Sequence, residues 1–130
     1  MTLKLIRLEL ARNKDFPDGS SAHGYEFRAP LRDDGHIETD GWSDIAQLCT
    51  VHHFWGGDGD ETGQLIRTRA HQWAFSYISG EDDDEPIFRF DSHVFLPGEY
   101  VTVTEHDGED YAFKVISVSD VPMPATIKRS

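Results

Sequence analysis

Read for the alternation of hydrophobic and polar positions, the chain breaks into short extended runs separated by turn-forming clusters, with one helical stripe among them. The clearest pattern runs from Phe95 to Val118, where two strand-like runs flank Asp107-Gly108. A three-residue loop of His106, Asp107 and Gly108, with Gly108 in the φ > 0 position of a bulged turn, sets Glu105 opposite Glu109, Val103 opposite Tyr111 and Val101 opposite Phe113. One face of the pair is then apolar on both strands. A two-residue loop sets Val101 against Lys114, so the bulged turn is expected.

From Leu3 to Arg12, Ile6, Leu8 and Leu10 lie on one side of a period-2 pattern and Arg7, Glu9 and Ala11 on the other, which predicts a strand. A helix is the rival, because Leu3, Ile6 and Leu10 also fall at helical spacing, but the stretch is short and lacks an N-cap. Phe16-Pro17-Asp18-Gly19 and the serines at 20 and 21 read as a turn or loop. His23 to Leu31 is a second strand, with His23, Tyr25, Phe27 and Ala29 on one face and Pro30 suited to its end or to an edge. Asp33-Asp34-Gly35 marks a turn, and His36 to Glu38 a short extended piece. Asp40 or Ser43 is placed to cap a helix over 42–49, in which Trp42, Ile45, Ala46 and Cys49 fall at i, i+3, i+4 and i+7.

Thr50 to Trp55 is β-branched and aromatic, and GGDGDETG after it reads as a polar connection. Leu65 to Ala70 and Trp73 to Ser79 look like further strands, the second with Trp73, Phe75 and Tyr77 on one face, although His71-Gln72 is a poor turn between them. Gly80 to Pro86 contains five consecutive acids and reads as a solvated loop. Ile87 to Phe90 is a short strand. The expected fold is mainly β: a small antiparallel barrel or sandwich with one short helix at about 42–49, forming a single domain over 1–120 and followed by a loosely ordered tail, 121–130.

Composition narrows the partners. With 24 acids against 12 Lys and Arg the net charge is −12, which repels nucleic-acid backbones and anionic membranes and suits basic partners or cations. Eight Phe, four Tyr and three Trp supply enough apolar volume for a core. The single Cys49 excludes an intramolecular disulfide. MTLKLIRLELARN has no signal-peptide core and no apolar run is long enough to span a bilayer, so a cytoplasmic protein, monomer or small homo-oligomer, is expected.

Catalytic signatures are missing. Seven histidines invite a divalent-metal reading, but His52 and His53 are adjacent and point to opposite faces of a strand, and Cys49-x-x-His52 is half of a zinc pattern. Asp58-Gly-Asp60-Glu-Thr62-Gly63 opens like a calcium loop, yet its twelfth place is Arg69. No cofactor is expected. Neither G-x-S-x-G nor a glycine-rich phosphate loop occurs, and Cys49 lies on an apolar stripe. Tyr25, Trp55, Trp73 and Tyr77 are the candidate lining of a ligand or partner surface, Trp55 because it abuts a glycine-rich stretch.

FPDGSSAHGYEFRAPL, VHHFWGGDGDETGQL and FLPGEYVTVTEHDGEDYAFKV together resemble a small family of uncharacterised bacterial proteins. The resemblance implies a bacterial origin and brings no activity, cofactor or catalytic residue. The expected function is a non-catalytic acidic binding or interaction module for a protein or small molecule. Its alternative is a metal-assisted hydrolase built on His23, His52 and His93 with nearby acids, which requires those side chains to converge on one cleft.

Overall fold

In a computed structural model, residues 3–13, 16–38, 42–55, 61–67, 73–77, 85–87, 94–104 and 109–121 are described. Eight strands follow one another: β1 (Leu3–Leu10), β2 (Ser20–Pro30), β3 (Thr50–Trp55), β4 (Glu61–Arg67), β5 (Trp73–Tyr77), β6 (Glu85–Ile87), β7 (Tyr100–Thr104) and β8 (Asp110–Asp120). Each pairs antiparallel with the next, and β8 returns to β1, so the meander closes into a barrel. Closure removes the two open edges that an aromatic-rich sheet would otherwise present to other chains. Lys4 and Asp120 pair across the closing seam, while among the described residues β6 and β7 are joined by the pair Ile87↔Val103.

The hairpin register is the expected one: Val103 faces Tyr111, Val101 faces Phe113, and Thr104 faces Asp110. The loop at 105–108 lies outside the described residues, as do the turn at 71–72 and the tail at 122–130. Several boundaries are corrected. Strand β2 begins at Ser20 and β4 at Glu61, so Ser20, Ser21 and Glu61 to Gly63 are sheet residues and not loop. Pairing supplies what propensity withheld, because Glu61 to Gly63 complete the ladder against Val51, His52 and His53. Strand β6 begins at Glu85, inside the stretch expected as a loop, and pairs with Phe75, Ala74 and Trp73; of the short strand expected at 87–90 only Ile87 is described, and 88–90 lie outside the described residues. The expected helix is a 3-10 segment, Trp42–Leu48, broken at Ile45 (φ −124°, ψ 18°). Its final i→i+3 bond, from Cys49 N–H to Ala46 O at 3.0 Å, is the tight geometry that short segments adopt, and Ile45 and Cys49 are still buried as the stripe requires.

Alternation puts Ile6, Leu8, Leu10, Tyr25, Phe27, Ala29, Val51, Leu65, Trp73, Phe75, Val101, Val103, Phe113 and Val115 inside. An eight-stranded barrel is just wide enough for side chains to fill, and here rings meet across it. Tyr25 on β2 lies 5.0 Å from Phe75 on β5 and 5.2 Å from Phe113 on β8, ring centre to ring centre. These contacts join non-neighbouring strands, so no lumen passes at that level. One end is capped by Leu31, Ile37, Ile45 and Phe95, all buried. Phe95 packs edge-on to Phe27 at 5.5 Å and its N–H bonds Gly35 O at 2.8 Å. Gly35 (φ +93°) has no room for a side chain, since a Cβ there would sit 2.7 Å from Val94 and 2.8 Å from Leu96.

Candidate functional site

The residues expected to bind divide between core and surface. Tyr25 and Trp73 are completely buried and are corrected from candidate ligand contacts to core side chains. Tyr25 holds the ring of His53 face to face at 4.6 Å, and the Arg67 guanidinium lies over the Trp73 ring at 5.0 Å. The backbone of Trp55 pairs with His23 and that of Tyr77 with Gly63, but the side chains of Trp55 and Tyr77 fall outside the described residues.

Of the histidine set, the two described members, His23 and His52, do not share one cleft. His23 shares the inward parity of Tyr25, where its Nδ1 is 2.6 Å from Ser20 Oγ and its ring packs on Phe16. His52 has the outward parity of Glu26, its partner on β2. The barrel wall therefore separates the two, and His93 lies outside the described residues. Among the described residues no group of three or more His, Cys, Asp or Glu side chains is arranged to hold a metal ion. The Ser20–His23 contact is local: Ser20 Oγ also accepts the Ala22 N–H at 3.2 Å, the i→i+2 pattern of a serine bonded to its own backbone. Cys49 is buried, with its thiol 3.5 Å from Ile45 O. Asp58, Gly59 and Asp60 of the calcium-like stretch lie outside the described residues, and Glu61 to Gly63 are strand.

The outer face of β1 to β4 offers a different site. Strand register lays its outward residues out as a grid: Leu5, Arg28, Thr50 and Gln64 in one row, and Arg7, Glu26, His52 and Thr62 in the next. Gly24 and Phe54 follow in a third row beside Glu9. A groove of about 650 Å³ runs over this grid, bounded by Leu5, Glu26, Arg28, Thr50, His52 and Gln64. Gln64 also donates to Gln47 O at 3.3 Å, which fixes the groove's rim to the 3-10 segment.

The two arginines of this face are held very differently. Arg7 donates to Glu9 at 2.7 Å, to Glu26 at 3.0 Å and to Ser21 O at 3.2 Å, and it stacks over Phe54 at 4.5 Å. Its hydrogen bond to Glu9, then that to Glu26 and the charges of both carboxylates, raise its pKa above the ordinary arginine value against an opposing effect of burial. Arg28 makes one neutral bond, to Thr50 Oγ1 at 3.1 Å. Among the described residues no carboxylate lies within ion-pair distance of it, and Glu26, two positions away on the same face, is already turned to Arg7. Arg28, a half-buried residue most of whose donors have no partner among the described residues, therefore sits in a groove lined also by Leu5, Thr50 and Thr62.

None of Arg28, Glu26, Thr50 or Gln64 stood out in the sequence, and Thr62 did so only as part of the calcium-like stretch. Their signal is only that they are the polar complement of the buried positions, and the register of four strands is needed to gather them. Among the described residues no helix is long and apolar enough to cross a membrane. Compared with protein-family models, with curated proteins and with solved structures, the chain matches none of them.

Proposed function

We propose that the protein is a non-catalytic binding module whose ligand surface is the outer face of β1 to β4. The observation that carries this reading is the contrast between inside and outside. Interior volume is taken up by rings that touch across the barrel, whereas the outer face carries a groove of about 650 Å³, within the usual range for small-molecule sites. The groove combines an apolar wall with a few fixed polar groups, the arrangement that orients a ligand without performing chemistry on it. The opposite placement of His23 and His52 supports a binding role over hydrolysis, because these two histidines of the hydrolase alternative do not share a cleft.

The test is amide chemical-shift mapping of isotope-labelled protein against a small-fragment library. Binding fragments are expected to shift residues 5, 26, 28, 50–52 and 62–64 together. A library whose hits leave these amides unmoved and perturb another face contradicts the assignment of the surface.

A further inference from the structure

We infer that the groove recognises a small organic monocarboxylate, with Arg28 receiving the carboxylate and Leu5 bordering the apolar body. The inference rests on the proposed binding role and adds the chemical class of ligand. It starts from a mismatch within one face. In a chain with twice as many acids as bases, Arg7 is shared by two glutamates, yet among the described residues Arg28, on the neighbouring strand one row away, has only a threonine hydroxyl. A guanidinium that lines a groove offers an exogenous anion charge-assisted hydrogen bonds that a neutral ligand cannot match.

Geometry selects the type of anion. A planar guanidinium matches the two oxygens of a carboxylate through parallel N–H bonds, and its one existing partner, Thr50, leaves that fork open. Thr50 and Thr62 add hydroxyl donors within the same groove, and His52 borders it between them on the outer grid. Glu26 lines the groove as well, and the protein carries a net charge of −12, so a dianion such as phosphate meets more repulsion than a single carboxylate. Polyanions are disfavoured further still. The apolar side chain of Leu5 in the groove then favours a ligand with a hydrophobic body over a bare acid such as formate.

Amide and arginine side-chain shifts of labelled protein, followed during titration with sodium benzoate, benzyl alcohol and inorganic phosphate at fixed ionic strength, test this directly. Benzoate is expected to move the Arg28 Nε–H and the amides of residues 50–52 and 62–64 saturably, and to bind about tenfold more tightly than benzyl alcohol or phosphate. Arg28→Gln, a surface change whose fold is checked by the unchanged remainder of the spectrum, is expected to remove that advantage while leaving the benzyl alcohol shifts in place. Equal binding of benzoate and benzyl alcohol overturns the carboxylate inference and leaves the groove reading standing. Tighter binding of phosphate overturns the choice of a monoanion. No saturable shift at the groove with any of the three overturns both.

Discussion

Gly24 is the point where the outer face and the closure of the sheet depend on the same missing atoms. A Cβ built there lies 1.9 Å from the carbonyl oxygen of Leu8 on β1 and 3.0 Å from Cζ of Phe54 on β3. Side-chain carbons do not approach a backbone oxygen closer than about 3 Å, so Gly24→Ala forces β1 away from β2 by more than an ångström. The displaced stretch pairs with β8 on its other side, where Leu8 faces Val115, so the disturbance reaches the closing seam. Overpacking of this kind costs about 1–3 kcal/mol, and one lost ladder bond about 1 kcal/mol more. Reduced freedom of the unfolded chain returns about 0.4–1 kcal/mol. The net expectation is a loss of about 1–3.5 kcal/mol, a large part of the roughly 5–15 kcal/mol that stabilises a domain. Urea unfolding followed by tryptophan fluorescence measures it, and with a slope of about 2 kcal/mol/M the midpoint falls by about 0.5–2 M. Gly98→Ala is the control. Gly98 has φ +95° and nothing within 4 Å of its built Cβ, so it reports backbone strain alone, about 1–2 kcal/mol. A Gly24→Ala protein within about 0.5 kcal/mol of the parent, or less affected than Gly98→Ala, refutes the close approach of β1 and β2.

Other consequences are open to simpler assays. Phe75→Ala removes a ring packed against both Tyr25 and Phe27 and is expected to lower stability by about 3–5 kcal/mol in the same urea assay. Arg7→Met leaves Glu9 and Glu26 without their shared cation; stability is expected to fall by about 1–2 kcal/mol at low salt and by less at about 1 M salt, where repulsion is screened. The Asp34 carboxyl, an acceptor of the His36 backbone N–H at 3.1 Å, has its pKa lowered below 3.8, chiefly by that bond. A lowered value means that its contribution is present above the unfolded pKa and lost as pH falls through the folded one, so carbon-detected titration should place its midpoint below that of a free aspartate, and a midpoint at or above it contradicts the turn geometry. Cys49 is buried beneath the 3-10 segment, and its thiol is expected to resist alkylation in native buffer and react in denaturant; fast native labelling would contradict its burial.

How much of this was legible in the sequence depended on whether a residue's own neighbours determined its place. The β7–β8 register followed from the parity of Val101, Val103, Tyr111 and Phe113 about one turn, and β3 followed from its β-branched and aromatic run. Ser20, Glu61 and Glu85 read as loop because isolated polar residues favour turns, but pairing partners across the barrel recruited each of them into a strand. Tyr25 and Trp73 carry polar tips that suit a surface, and their burial is set by barrel closure, which the local sequence does not encode. The groove was hidden for the same reason. Arg28 and Gln64 are 36 positions apart in the chain and meet only through two successive strand registers, via Thr50.

The central claim is that the sheet closes on itself around interlocked rings, which leaves binding to the outer wall. A nuclear Overhauser spectrum of labelled protein tests it in one experiment. Cross-strand contacts are expected between Leu8 and both Tyr25 and Val115, with Tyr25 ring protons also contacting Phe75 and Phe113. Absence of the Leu8–Val115 contact, together with a Tyr25 ring that sees only its own strand neighbours, would mean an open sheet with a vacant interior and would contradict the account.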